Sequence, residues 1–371
     1  MSTSNQAAQA LMAQQKAVQA NLNARMLMLS QGDRYFVQQP PVSGALGTQL
    51  QLPIPRVGIM MGVMLDVTVT PNITAAATAS PLGPYTLINK VTLADWYGNT
   101  RHNTAAYTLN ALNAIRAFRP YNRIASSLNN DTNTFLYEFP TAVGSTAPIR
   151  FTLWVPIAYD RYDSKGALIM QTATGNATLT LTLANALVGN DPTLFPYTAG
   201  TASAGNVTVT PYYDYIMPPS LAPADLPQLD LATVYAVQDQ PQDSTNIVVG
   251  TNKFINYPPQ RNVYSAFLTY NNGNTLNFGS DVTLFETLIN GVTPLKQWSP
   301  RAKLIEQRNM IGADFPPGLY YFDSRHRPID TNLYGNFQLI MNPSAVSAGA
   351  YINTSFEMTY PLGAPLPGLA V

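Results

Sequence analysis

The chain has two histidines, His102 and His326, far apart and each beside an arginine. A histidine metal centre on a β-scaffold needs two or three clustered ligands, so these positions predict polar loop contacts and no metal site. Glycoside hydrolysis needs two carboxylates facing each other across a scissile bond. Glu138, Glu286, Glu306, Asp314 and Glu357 are the candidates, and nothing in their spacing brings two of them together. Cysteine is absent, which removes disulfides, thiolate ligands and cysteine nucleophiles together. The sequence shows no phosphate-cradling glycine loop, nucleophile elbow or zinc spacing. Asn72-Ile73-Thr74, Asn176-Ala177-Thr178 and Asn206-Val207-Thr208 are formal glycosylation sequons of the kind a Thr- and Asn-rich chain produces by chance. The densest charged group is Asp323, Arg325, Arg327 and Asp330. It sits around a turn and predicts a surface ion-pair network at a subunit contact. These residues point to touching neighbours, with no cofactor and no enzymatic activity expected.

Composition fits that expectation. Charged residues make up 11 % of the 371-residue chain, against roughly 25 % in an ordinary soluble domain. Thr, Asn, Ser, Gln and Tyr must therefore cover the surface, and neutral polar surfaces suit protein–protein contact because charge is depleted from interface cores. Twenty Lys+Arg balance twenty Asp+Glu, which argues against binding nucleic acid through phosphate neutralisation. The length accommodates two domains. No apolar run of signal type follows the first basic residue, Lys16, and no stretch reaches the roughly 18 apolar residues of a membrane span. Membrane contact, if any, is expected to be peripheral.

The elements that would position these groups are mostly strands. Residues 5–31 are the exception: rich in Ala, Gln, Leu and Met, they predict a helical arm. Leu11, Val18, Leu22 and Leu29 form its apolar stripe and Lys16 and Arg25 its positive charge, which suits an anionic bilayer, a neighbouring subunit or the protein's own body. From Leu46 the texture becomes period-2. Val63, Leu65, Val67 and Val69 alternate with polar residues, as do Phe151, Leu153 and Val155, and Leu179, Leu181 and Leu183. A helix is predicted over Ala105–Phe118, and small-residue loops over Thr74–Ser80 and Tyr197–Gly205. Met217 to Pro227 holds four prolines in eleven positions and reads as a stiff spacer. Beyond it, strands are expected at Leu231–Val237, Ile247–Val249, Val263–Tyr270, Leu319–Phe322, Phe337–Met341 and Ile352–Tyr360. Helices are expected from Val282 to Ile289, capped by Asp281, and from Ser299-Pro300 to near Gly312. Five segments follow: arm 1–45, sandwich 46–216, linker 217–228, sandwich 229–360 and tail 361–371. Internal sequence identity between the sandwiches is negligible.

Residues 314–343 hold the most distinctive pattern. Asp314-Phe315-Pro316, Gly318, Tyr320-Tyr321, Asp323, Arg325, Pro328-Ile329, Thr331, Tyr334-Gly335-Asn336 and Asn342-Pro343 occur together. Leu319 to Phe322 is aromatic on both faces, as a strand packed on both sides should be. Three further blocks precede them in order: Ala20-Asn21-Leu22 with Ala24-Arg25, Trp154-Val155-Pro156 with Ala158-Tyr159, and Asp230-Leu231 with Thr233 and Tyr235. On these four collinear blocks the chain resembles the major capsid proteins of tectiviruses, tailless icosahedral phages with an internal membrane.

The resemblance implies an all-β fold of two jelly-roll sandwiches with short inserted helices and an N-terminal helical arm. It also implies homotrimers of pseudo-hexagonal outline that tile an icosahedral shell with neighbouring trimers, alongside vertex and minor capsid proteins. The arm would lie on the inner face near the lipid membrane, and assembly would take place in the host bacterial cytoplasm. The tail Pro361 to Val371 has no counterpart in the pattern. The alternative from another class is a carbohydrate-binding or glycosidase-like double β-sandwich, and the residues by themselves also suit a surface-layer or secreted β-protein.

Overall fold

The computed structural model describes residues 32–117, 137–145, 147–160, 163, 165–170, 173–217, 233–277, 279–311, 315–334 and 336–361. The helix predicted over 5–31, the prolines of the spacer and the tail beyond Pro361 lie outside them, as does Asp314.

Alternation in sequence becomes alternation in burial. Along Ala177–Leu183 the leucines are buried and the threonines half-buried, and Ile149–Pro156 and Val207–Met217 behave the same way. Each strand thus offers one apolar row, and two sheets laid face to face enclose these rows. In the first sandwich one sheet runs Asp33–Gln38, Val207–Met217, Ile59–Val69, Ile149–Pro156, and the other Gln49–Ile54, Ala177–Leu183, Ile88–Ala94, Thr100–Thr104. The second sandwich pairs Thr233–Asp239, Tyr351–Pro361, Asn262–Asn271, Leu319–Asp323 against Lys253–Asn256, Phe337–Pro343, Val282–Ile289, Thr293–Trp298. Counting these eight strands of each roll along the chain, both rolls have the order first, eighth, third, sixth in one sheet and second, seventh, fourth, fifth in the other. These are jelly rolls. In each, a helix stands between the fifth and sixth strands, Ala106–Ala117 in the first and Pro300–Ile311 in the second. Asp33–Gln38, grouped with the arm in the sequence reading, is the first strand of its roll.

The rolls share a sheet. Thr100–Thr104 pairs in parallel with Thr233–Asp239, with His102 opposite Val237 and Asn103 opposite Gln238. The second roll's sheet is consequently packed on both sides. Val234, Ala236, Ala266, Leu268, Tyr320 and Phe322 enter its own core, whereas Tyr235, Val237, Phe267, Leu319 and Tyr321 enter the core of the first roll. The aromatic doubling at 319–322 is explained by this double burial.

Four expectations are corrected. Val282–Ile289 is a strand and not a helix. Its residues satisfy a helical spacing, but Asn290 and Gly291, at φ 53° and 70°, reverse the chain into the hairpin partner Thr293–Trp298. Asp281 makes no helix cap there; its Oδ2 accepts from Asn272 and Asn277, each at 2.9 Å. Secondly, the two small-residue loops are strands, Pro71–Ala79 and Tyr197–Ala204, paired as an irregular ribbon. Alanine and glycine conceal strand character that a distant partner supplies. Thirdly, Ile247–Val249 is not a strand; Val248 and Val249 are exposed in a turn. Fourthly, His102 is not in a loop but fully buried within Thr100–Thr104.

Candidate functional site

The densest polar chemistry lies in the seam between the rolls, around the helix Ala106–Ala117. Leu109, Leu112 and Ile115 share one face and are inaccessible to solvent. Ala106, Ala111 and Ala114 are buried too, because the second roll covers the other side. Both ends of the helix are held by carboxylates of that roll. At the start, Asp239 accepts from the Ala105 amide at 3.0 Å and from Thr104 Oγ1 at 2.6 Å, a favourable place for an acid beside the exposed amides of a helix N-terminus. Burial raises the Asp239 pKa. In the last turn, Arg116 pairs with the fully buried Glu357. Glu357 also accepts from Tyr235 at 3.2 Å and from Ser265 at 2.6 Å. Asp191 of the first roll adds a third tie, accepting from Tyr351 at 2.7 Å and from Asn271 at 3.0 Å.

His102 sits in this seam. Its Nε2–H donates to the Pro156 carbonyl and its Nδ1 accepts from the Val237 amide at 2.9 Å, an arrangement that the neutral ring satisfies completely. Burial lowers its pKa to about 4, with Arg101 and Arg116 adding to the effect. Arg101 is likewise committed, pairing with Asp95 at 3.2 Å and donating to the Gly166 carbonyl. Gly166 has φ +80°, and a Cβ placed on it would stand 2.4 Å from Tyr235 Cβ. Gly166→Ala should therefore cost at least about 1–3 kcal/mol, read as a lowered unfolding midpoint with secondary structure retained.

The candidate chemistry of the sequence disperses. Glu286 accepts from Gln297 at 2.8 Å, Glu306 pairs with the buried Lys303 and Glu357 is held by Arg116, so each has its own partner and no two of these three face each other. The side chain of Glu138 lies outside the described residues. Two clefts of about 470 and 510 Å³ flank Gln238 to Gln242. Their carboxylates are already engaged: Asp239 as above, and Asp243 with Lys253 at 2.6 Å. Among the described residues, three or more His, Asp or Glu side chains do not come together as metal ligands. Of the predicted ion-pair network, Asp323 and Arg325 meet at 2.9 Å. Asp330 accepts instead from Asn332, and Arg327 and His326 are exposed. Leu11, Lys16, Val18, Leu22, Arg25 and Leu29 lie outside the described residues. The sequence reading missed the seam residues Arg116, Asp239, Tyr235 and Ser265; their signal, polar residues on otherwise apolar strands, has meaning only once the rolls are packed.

What this geometry does is fuse two jelly rolls into one block, and the comparisons name the family. Residues 1–218 match the P3 major capsid protein N-terminal family and residues 232–361 the P3 major capsid protein C-terminal family. The chain belongs to the P3 major capsid protein family. It is a phage major capsid protein, a component of the virion shell that assembles with copies of itself. It is 28 % identical over 382 residues to the major capsid protein P3 of Enterobacteria phage PRD1, covering 95 % of this chain and 93 % of that one. Its fold is similar to that in the atomic structure of Sulfolobus Turreted Icosahedral Virus, with TM-score 0.66 and 13 % identity over 89 % of this chain and 91 % of that chain. It is also similar to the major capsid protein P2 of bacteriophage PM2, with TM-score 0.51 and 10 % identity over 89 % of this chain and 98 % of that one. The carbohydrate-binding alternative finds no support in these comparisons.

Proposed function

We propose that this capsid protein forms a trimer of pseudo-hexagonal outline that tiles an icosahedral shell over an internal lipid membrane. The observation carrying this reading is the repeated strand order: two rolls of one topology, fused through a shared sheet, provide six similar units from three chains. Six such units can meet hexagonal lattice neighbours with a single kind of subunit. The role is mechanical, with no catalytic step and no direct contact to nucleic acid. Vertex and minor capsid proteins complete the shell, which forms in the host bacterial cytoplasm. Asp323, Arg325, Arg327 and Asp330 lie at a subunit contact. The arm acts on the inner side, with Leu11, Val18, Leu22 and Leu29 toward apolar material and Lys16 and Arg25 toward anionic headgroups. Two cations contribute on the order of 1 kcal/mol each at such a surface, so binding depends on many copies acting together.

The test is native mass spectrometry of purified protein, expected to show a species of three 40.3 kDa chains; a stable monomer would overturn the reading. Removing residues 1–31 should leave the trimer intact and abolish membrane-filled particles in electron micrographs. Normal membrane-filled particles from the shortened chain would refute the role assigned to the arm.

A further inference from the structure

A ring nitrogen completes the ladder that joins the two rolls. The parallel pairing of Thr100–Thr104 with Thr233–Asp239 is two residues long, His102 with Val237 and Asn103 with Gln238. Two of its ties run through side chains. The Val237 amide donates to His102 Nδ1 at 2.9 Å, and Gln238 Nε2 donates to the Thr100 carbonyl at 2.8 Å. The imidazole therefore stands where a strand would offer a carbonyl. On its other side, Nε2–H donates to the Pro156 carbonyl, at the end of Ile149–Pro156 in the facing sheet of the first roll. One ring thus ties three strands and both rolls.

A second proton on this ring finds no acceptor. Nδ1 is the nitrogen left to take it, and Nδ1 faces an N–H. Protonation turns an acceptor into a donor aimed at the Val237 amide, so that tie is lost outright. The new charge also has cations for company. On its own strand Arg101 is buried and paired with Asp95. From the helix Ala106–Ala117 comes Arg116, paired with Glu357 of Tyr351–Pro361, and both guanidiniums disfavour a charged ring. On Thr233–Asp239, Tyr235 meets the imidazole edge to face with centroids 5.7 Å apart, and its hydroxyl is engaged by Arg116 and Glu357. Asp239, at the end of that strand, is taken up by Thr104, Ala105 and Ser355. On Ile88–Ala94 the residue opposite is the uncharged Leu93. Among the described residues no carboxylate pairs with the ring, and Asp95 and Glu357 are each already held by an arginine. The chain's other histidine, His326, is exposed and away from the join.

We propose that this join is an acid-operated latch: a proton taken up at His102 Nδ1 opens the parallel ladder between Thr100–Thr104 and Thr233–Asp239 while each roll keeps its fold. Such local opening needs less free energy than unfolding either core. The latch is closed above pH 6.5 and loosens toward pH 4, where the buried ring takes up its proton. Opening returns the ring to its ordinary titration, so the open fraction rises about tenfold for each pH unit across that window. Asp239, whose pKa burial raises, opposes part of this rise. The net change between pH 7 and pH 4.5 is at least about tenfold.

The chain has no cysteine, so one introduced thiol reports on one place. Val237→Cys puts it at the ladder, where Val237 is fully buried against the first roll. Val209→Cys and Val263→Cys put it at equally buried positions outside the ladder, one in the core of each roll. Each full-length variant is labelled with a pyridyl disulfide, which reacts with thiols in acid as well as at neutral pH, and rates are divided by those of free cysteine at the same pH. Val237→Cys should label at least about tenfold faster at pH 4.5 than at pH 7, with both controls unchanged. Adding His102→Gln, which keeps an acceptor for the Val237 amide and does not titrate, should abolish the acceleration. No acceleration at Val237→Cys would overturn the latch. Equal acceleration at all three sites, the mark of whole-chain unfolding, would overturn it too, as would an acceleration that survives His102→Gln. Deuterium uptake by the unsubstituted protein gives a second readout. Corrected for intrinsic exchange, peptides covering 100–105 and 233–239 should lose protection at pH 4.5 before those covering 177–183 and 337–343; simultaneous loss, or none, overturns the proposal.

Discussion

Replacing Glu357 by alanine should cost about 3–5 kcal/mol of stability, because it leaves the Arg116 guanidinium inside the seam without its carboxylate. The loss extends further, since Ser265 and Tyr235 both donate to the same side chain. Three donors lose their common acceptor at once, which is why the effect should exceed that of a surface ion pair such as Arg150 with Asp66. Urea unfolding followed by tryptophan fluorescence measures it. Glu357→Gln, which keeps an acceptor and loses the charge, should fall between the wild type and Glu357→Ala. If Glu357→Ala unfolds at the wild-type midpoint, the seam is not held by this carboxylate.

His102 makes the protein sensitive to acid in a defined window. The folded ring titrates near 4 and a free histidine near 6.5. Between these pH values the unfolded chain takes up a proton that the folded chain refuses. Stability from this group is therefore complete above pH 6.5, declines by about 1.4 kcal/mol per pH unit below it, and is exhausted near pH 4, a total of about 3 kcal/mol. Asp239, whose pKa is raised by burial, works in the opposite sense and moderates the total. The comparison with His102→Gln separates the two, since Asp239 is common to both proteins. The stability advantage of the wild type over that variant should shrink as pH falls from 6.5 to 4. A constant difference across this range would show that the ring is not held neutral.

How much of this was legible in the sequence depends on where each segment's partners lie. Leu179, Leu181 and Leu183 announce a strand because their alternation is local. Leu319 to Phe322 announces burial on both sides for the same reason, and Pro300 marks a helix start that Pro300–Ile311 confirms. Val282 to Ile289 was misread as a helix because Val282, Phe285, Leu288 and Ile289 fall at helical spacing in a segment short enough to be a strand, and the deciding cue was the turn Asn290-Gly291 after it. Pro71–Ala79 and Tyr197–Ala204 carry too little apolar alternation to be seen one at a time. The candidate site was least legible. His102 looks like a loop residue between Arg101 and Asn103, and Glu357 like one of five scattered carboxylates. Both acquire their roles from residues between 54 and 241 positions away, and no local pattern encodes that meeting. The recurrence of one strand order in two rolls was equally hidden, since topology repeats where sequence does not.

A sheet that runs unbroken from one roll into the other, with a helix anchored by acids at either end, ties the halves of a protomer together among the described residues. Each protomer is a stiff tile. Whatever bending a closed shell demands must then be absorbed where tiles abut, and mutations that soften the seam should yield particles of uneven diameter before they yield unfolded protein.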